Sequence, residues 1–303
     1  NLAYILCMSE PRNHPAPSRS DEAIDEFESI FKRAERTLYH YSDIAIRKVA
    51  VVTDGDQTMA GELGNDVKRV LPQLAEQADW QYVAGSQYKN VNDLLKIMAE
   101  CNPDLIVTFR CLDESSLVPQ HTLGVYVDVM TQTLSTPILL LPGSAPQPHP
   151  LGTRACQGVM VVTNNLAGDD QLVNHAVACT ASKSTIWLCH IEDDVLFRRY
   201  LEAIGRIPEI NTEQAEELIA EQLVAIPAQY AQSCVEGLKT AGADRTIEQI
   251  VEFGHQVNRY QQLVAQYPVD LLVTNTKDSD QLAMHGVAYA LSVELTNVAQ
   301  LLL

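Results

Sequence analysis

The stretch DLLVTNTKDSDQLAMHG, residues 270–286, passes from an apolar run to a polar one within a few positions. Leu271–Thr274 reads as a buried strand, and Asn275, Lys277, Asp278, Asp280 and His285 follow it before Gly286. Hydrogen-bonding and titratable groups placed directly behind a core strand can line a ligand site, or they can form a solvated loop. His285-Gly286 stands where a helix begins, so its first amides could receive an anion, with Lys277 as a second positive group. The alternative is that Lys277 pairs with Asp278 or Asp280 in water, which is worth little.

Comparable groups follow other apolar runs. Asn164 and Asn165 come behind QGVMVVT, His190 with Glu192, Asp193 and Asp194 at the end of STIWLCHI, and His255 behind TIEQIVEFG. His190, His255 and His285 could offer neutral imidazoles to a divalent metal, or the same rim could take a polar small molecule. No H-x3-H or H-E-x-x-H pair tightens the spacing. In the first part of the chain the corresponding groups are Ser9, Glu10, Asp54, Asp56, Ser86, Arg110, Asp113, Glu114 and His121. Arg110, directly behind DLIVTF, could hold an anion or neutralise Asp113 and Glu114. No G-x-S-x-G elbow and no cysteine in an activating setting is present, so no residue reads as a catalytic nucleophile.

The elements that must position these groups alternate. Apolar runs at 3–8, 48–53, 80–85, 104–109 and 137–142 are separated by helical patterns at 21–41, 64–78, 91–101 and 123–134. PGSAPQPHPLG, 142–152, reads as a linker. A second series follows, with strands at 157–163, 184–191, 246–254, 270–275 and 299–303 and helices at 168–182, 257–267 and 287–295. Between them, 194–241 reads as two or three helices broken near Pro208 and kinked near Pro227. The expected organisation is a first unit over 1–143, a connection over 144–155, and a second unit over 156–303 carrying the helical insertion 194–241. Strands alternating with helices imply a parallel α/β sheet. By the rule for open parallel sheets, ligands sit beyond the carboxyl ends of the strands, where the polar groups above fall.

Net charge is −18, from 21 Lys and Arg against 39 Asp and Glu. Such a surface repels phosphate backbones and anionic lipid, which argues against nucleic-acid and membrane-surface partners. No apolar run approaches the roughly 18 residues of a membrane span. Seven cysteines are scattered without a C-x-x-C pair, which fits neither a disulfide framework nor a zinc cluster and points to a reducing compartment, the cytoplasm.

Three pairs of segments repeat. KVAVVTDGD resembles GVMVVTNNL, NPDLIVTF resembles PVDLLVTN, and LGVYVDVMTQTLSTPILLL resembles HGVAYALSVELTNVAQLLL. The first pair joins the second apolar run of one series to the first of the other, so either the first series is circularly offset or shortened, or the likeness is accidental. P-[VD]-D-L-[LI]-V, then a loop, a glycine opening a helix and a terminal apolar strand, resembles the universal stress protein family in its tandem form. The resemblance implies two similar open sheets of five parallel strands, ordered 3-2-1-4-5 with helices on both faces, of the adenine-nucleotide α-hydrolase-like kind. It also implies that the two units pair through their last strands.

Family members that bind ATP carry G-x2-G-x9-G-[ST] after the fourth strand. Here the last glycine corresponds to Gly124 or Gly286, each followed by valine, and the earlier positions hold Cys111 and Glu114, or Val273 and Thr276. The family's Asp behind the first strand would be Asp54, with Asn164 in the second series. These departures argue against ATP in the family's usual mode, and no other cofactor is assigned. The expectation is a non-enzymatic stress-response or regulatory module binding an unidentified small ligand. Open alternatives are a nucleotide-, small-ligand- or metal-binding protein with weak hydrolase activity, a scaffold docking a protein partner through the acidic helices 194–241, and a homodimer.

Overall fold

The computed structural model describes residues 38–303 apart from 114–121, 145–146, 149–150, 164–165, 208–210, 277–283 and 285. The expected strand at 3–8, and the helix at 21–41 as far as residue 37, lie outside the described residues. The chain runs through β1 (Lys48–Val52), α1 (Gln57–Val70), α2 (Pro72–Gln77), β2 (Asp79–Val83), α3 (Val91–Cys101), β3 (Leu105–Arg110), α4 (Val125–Thr133) and β4 (Ile138–Ser144). It continues through β5 (Gln147–Pro148), β6 (Gly158–Val162), α5 (Asp170–Ala178), β7 (Thr185–Asp193), α6 (Asp194–Ile204), α7 (Thr212–Thr240) and β8 (Thr246–Gly254). The last elements are α8 (Gln256–Gln266), β9 (Leu271–Thr274), α9 (Gly286–Glu294) and β10 (Ala299–Leu302).

Local chemistry explains most boundaries. Asp56 caps α1 by accepting from the Met59 amide at 2.9 Å, so that helix starts earlier than its apolar stripe suggests. Pro72 opens α2 at a position where a missing N–H costs nothing. Asn90 caps α3, and Asn102 ends it in the left-handed region at φ 45°. α7 runs unbroken through the buried Pro227. Among the described residues no helix is long and apolar enough to cross a membrane.

The described strands form one sheet in the order β2-β1-β3-β4-β10-β9-β6-β7-β8, with β5 folded back on β4. Two similar open five-stranded sheets were expected, and the described strands form one continuous sheet instead. The reason is that β4 and β10 pair antiparallel, Leu140 opposite Gln300 and Ile138 opposite Leu302. Both strands are apolar without alternation, and their pairing removes two exposed edges that would template aggregation. Every other pairing along that order is parallel. The strands of the first series therefore run opposite to those of the second, and their carboxyl ends lie at opposite edges of the sheet.

Two aspartates reveal how the series correspond. Asp104 Oδ2 accepts the amides of Arg47 and Lys48 at 2.8 and 2.9 Å. Asp270 Oδ2 accepts those of Gln157 and Gly158 at 2.9 and 3.0 Å. KVAVV and GVMVV thus occupy the same place, each flanked by the strand that follows it and by the D-L-[IL]-V-T strand. β1 and β6 therefore have equivalent neighbours in the sheet, while the run at 3–8 that sets the offset lies outside the described residues.

Residues from both series also share one apolar cluster, which includes Val70, Leu74 and Leu139 with Val173, Val177 and Leu301. The described residues cluster as one compact unit. Beyond β5, Leu151 is buried, and the Cys156 amide donates to the Val70 carbonyl at 2.8 Å. Upstream of β1, Tyr39 donates its hydroxyl to Asn174 of α5 at 2.6 Å and its amide to Ser233 of α7 at 3.0 Å.

Candidate ligand sites

Strand order reverses twice, between β1 and β3 and between β6 and β9, and an open parallel sheet leaves a crevice at each reversal. Because the two series are antiparallel, these crevices open on opposite edges and share no residues. The sequence-derived candidates therefore divide into two groups.

The first crevice is the better defined. Thr53 closes β1, and its Oγ accepts the Gly55 amide at 3.0 Å, turning the chain so that Asp54 stands at the rim. Behind β3, Cys111 and Asp113 adopt left-handed backbone at φ 56° and 57°, a conformation uncommon outside glycine. That turn brings the Asp113 amide to Asp54 Oδ2 at 3.2 Å. Tyr126, from the first turn of α4, donates its hydroxyl to Asp113 Oδ2 at 2.8 Å. Tyr88 donates to the Thr53 carbonyl at 3.1 Å and lies 5.6 Å from the Tyr126 ring. Burial, and then the charges of Asp54 and Asp113, push the Tyr88 hydroxyl pKa up.

Gly124 sits at the N-cap of α4 with φ 89°. Its amide already donates to Thr122 Oγ at 3.1 Å. An anion approaching this helix would find that amide in use and two carboxylates nearby, an arrangement unlike a phosphate cradle.

Arg110 needs correction. It was expected at the rim, holding an anion or balancing Asp113 and Glu114. Instead it is only 1% exposed, and its guanidinium reaches across the seam between the two series. Nε and Nη2 donate to the Ser292 carbonyl at 3.0 and 2.9 Å, Nη2 also to Leu295 at 3.3 Å, and Nη1 to Leu141 at 3.2 Å. Ser292 and Leu295 lie at the C-terminal end of α9, where carbonyls lack intrahelical donors and carry the negative end of the helix dipole. That dipole favours the cation, while burial lowers the Arg110 pKa to about 10.

The second crevice is filled largely by its own contacts. Asn275 donates to Asp169, the N-cap of α5. Thr276, the counterpart of Arg110, donates its amide to the Leu303 carbonyl at 2.8 Å. Tyr260 accepts the Ile191 amide at 3.0 Å and donates to Thr163 at 3.2 Å. Gly286 begins α9 and is exposed. Asn164, Lys277, Asp278 and His285 lie outside the described residues.

His190 is not at this rim. β7 continues to Asp193, so His190 lies within the strand, 1% exposed, with Nε2 3.0 Å from Glu192 Oε2. His255 instead stands exposed at the N-cap of α8. The two described imidazoles thus stand in different settings, and among the described residues no three His, Cys, Asp or Glu side chains are grouped to hold a metal ion.

Sequence reasoning missed Tyr88, Tyr126 and Tyr260. Each lies outside the strands whose ends drew attention. One signal was available: a tyrosine in the first turn after Gly124 falls within reach of the loop behind β3.

No family model and no curated protein matches the chain. Solved structures similar to it include a protein described as a universal stress protein from Pseudomonas aeruginosa UCBPP-PA14. That match has 12% identity over 95% of this chain and 90% of the other, with a TM-score of 0.43. A universal stress protein from Archaeoglobus fulgidus DSM 4304 matches at 11% identity over 94% and 92%, with a TM-score of 0.40. These neighbours are universal stress proteins.

Proposed function

We propose that this chain is a tandem universal-stress-type module that binds a small ligand without turning it over. Its first crevice takes a group rich in amine or hydroxyl donors rather than a triphosphate. The observation that carries this reading is the Asp54–Asp113–Tyr126 cluster, in which two carboxylates and a tyrosine occupy the strand-order reversal. Carboxylates accept such donors and repel phosphate oxygens. The tandem organisation is supported by the equivalent Asp104 and Asp270 clamps. The described cysteines form no disulfide, and five of them are buried, which suits a reducing compartment such as the cytoplasm. A net charge of −18 suits neither nucleic-acid nor anionic-membrane partners.

Isothermal titration of the chain against magnesium-ATP, AMP and the triamine spermidine tests this reading. Heat is expected with the amine, and loss of that heat in Asp54→Ala/Asp113→Ala places it at the crevice. Saturable magnesium-ATP binding that survives in the double variant while the amine gives none would overturn the reading.

A further inference from the structure

The first crevice is tied to the far edge of the sheet through a chain of contacts. At its near end the turn Cys111–Asp113 is held by Asp54 and Tyr126. The residue before that turn is Arg110, where the β3–β4 register slips between Phe109 and Arg110. Strand irregularities of this kind re-aim a side chain, and here the re-aimed guanidinium grips Ser292 and Leu295. On the partner strand, Gly143 at φ 86° donates its amide to Thr296 at 3.0 Å. Both links fall on the C-terminal end of α9. From there the helix runs nine residues, about 13 Å, to Gly286 at the opposite edge, beside the second crevice.

We propose that Arg110 makes α9 a lever between the two crevices, so that the state of the Cys111–Asp113 turn sets how readily α9 opens. Among the described residues the second series shows no matching link. Its Thr276 side chain donates to the terminal Leu303 carbonyl at 2.5 Å and does not reach α4 through any described bond. The guanidinium fork makes the link stiff, because its donors lie in one plane and the carbonyls it holds cannot rotate freely. A ligand drawing Asp54 or Asp113 toward itself would shift the turn, and Arg110 is covalently part of the same strand end. Coupling of this sort is reciprocal at equilibrium, so a ligand at the α9 N-terminus would also alter the first crevice.

The inference rests on the reading of the first crevice as the ligand site, but its test needs no ligand. Native-state hydrogen exchange of the full chain reports local opening of α9. Asp54→Ala removes the acceptor that fixes the Asp113 amide and should speed exchange in residues 286–294 by about tenfold, the scale of one hydrogen bond. On an Arg110→Met background the same substitution should leave α9 exchange where Arg110→Met alone puts it. Arg110→Gln provides a second background, and Tyr126→Phe a second way to loosen the turn. Exchange in β6 and β7 should stay constant throughout, which separates coupling from general destabilisation. Unchanged α9 exchange in Asp54→Ala, or an equal increase on both backgrounds, would overturn the proposal. Failure of every ligand in the titration would leave this readout intact, so the two ideas fail separately.

Discussion

Replacing Arg110 separates the value of its fork from the cost of its charge. Burial that moves its pKa from 12.5 to about 10 costs about 3 kcal/mol, at 1.36 kcal/mol per pKa unit. Against that stand four hydrogen bonds to main-chain carbonyls. In Arg110→Met the charge and its cost disappear together, and the Ser292 carbonyl loses both donors. An orphaned buried acceptor costs about 1–3 kcal/mol, so the variant should unfold within about 2 kcal/mol of the parent. In Arg110→Lys the ammonium remains buried and charged but cannot span carbonyls on α9 and β4 at once. It keeps the desolvation cost and loses much of the compensation, and should fall about 3 kcal/mol below the Met variant. Urea unfolding at pH 7, with midpoints compared at a common slope, measures both. A Lys variant equal to or more stable than the Met variant would refute the reasoning, because charge rather than fork geometry would then hold the seam.

Asp104→Ala and Asp270→Ala should each lower stability by about 2–3 kcal/mol, because each carboxylate holds two amides entering a central strand. Being remote, their effects should add in the double variant; one neutral and one severe result would break the equivalence of the two series. A pH effect should accompany these. Burial raises the thiols of Cys156, Cys179, Cys189 and Cys234, Cys179 to about 12, whereas unfolded thiols ionise near pH 8.5. Their contribution is complete below that pH and declines as pH rises toward the folded values, by up to about 1.4 kcal/mol per thiol per pH unit. The urea midpoint at pH 10 should lie below that at pH 8, and Cys179→Val should flatten the slope; a midpoint independent of pH would contradict the buried-thiol assignment.

Much of the sheet was legible because burial leaves a local trace. Runs such as VAVV (49–52) and GVMVV, buried at every position, must be free of charged groups, and a strand of that kind announces itself without reference to its neighbours. TIEQIVEFG at the sheet edge showed the opposite trace, with Glu248 and Glu252 interrupting it, and was found over its full span. The site was less legible because strand ends are a matter of pairing rather than composition. His190 looks like a terminal residue until β7 is seen to pair with β8 as far as Asp193 opposite Gly254. Arg110 is the sharper case. A charged residue directly behind a core strand normally faces solvent, and nothing within several positions of it indicates otherwise. What claims its charge is the C-terminal end of α9, 182 residues later in the chain, delivered there only because β4 and β10 pair antiparallel. The aliphatic strands that make that pairing could be read from the sequence. Its consequence for Arg110 could not, since it depends on which way the second series runs once the two edges have met.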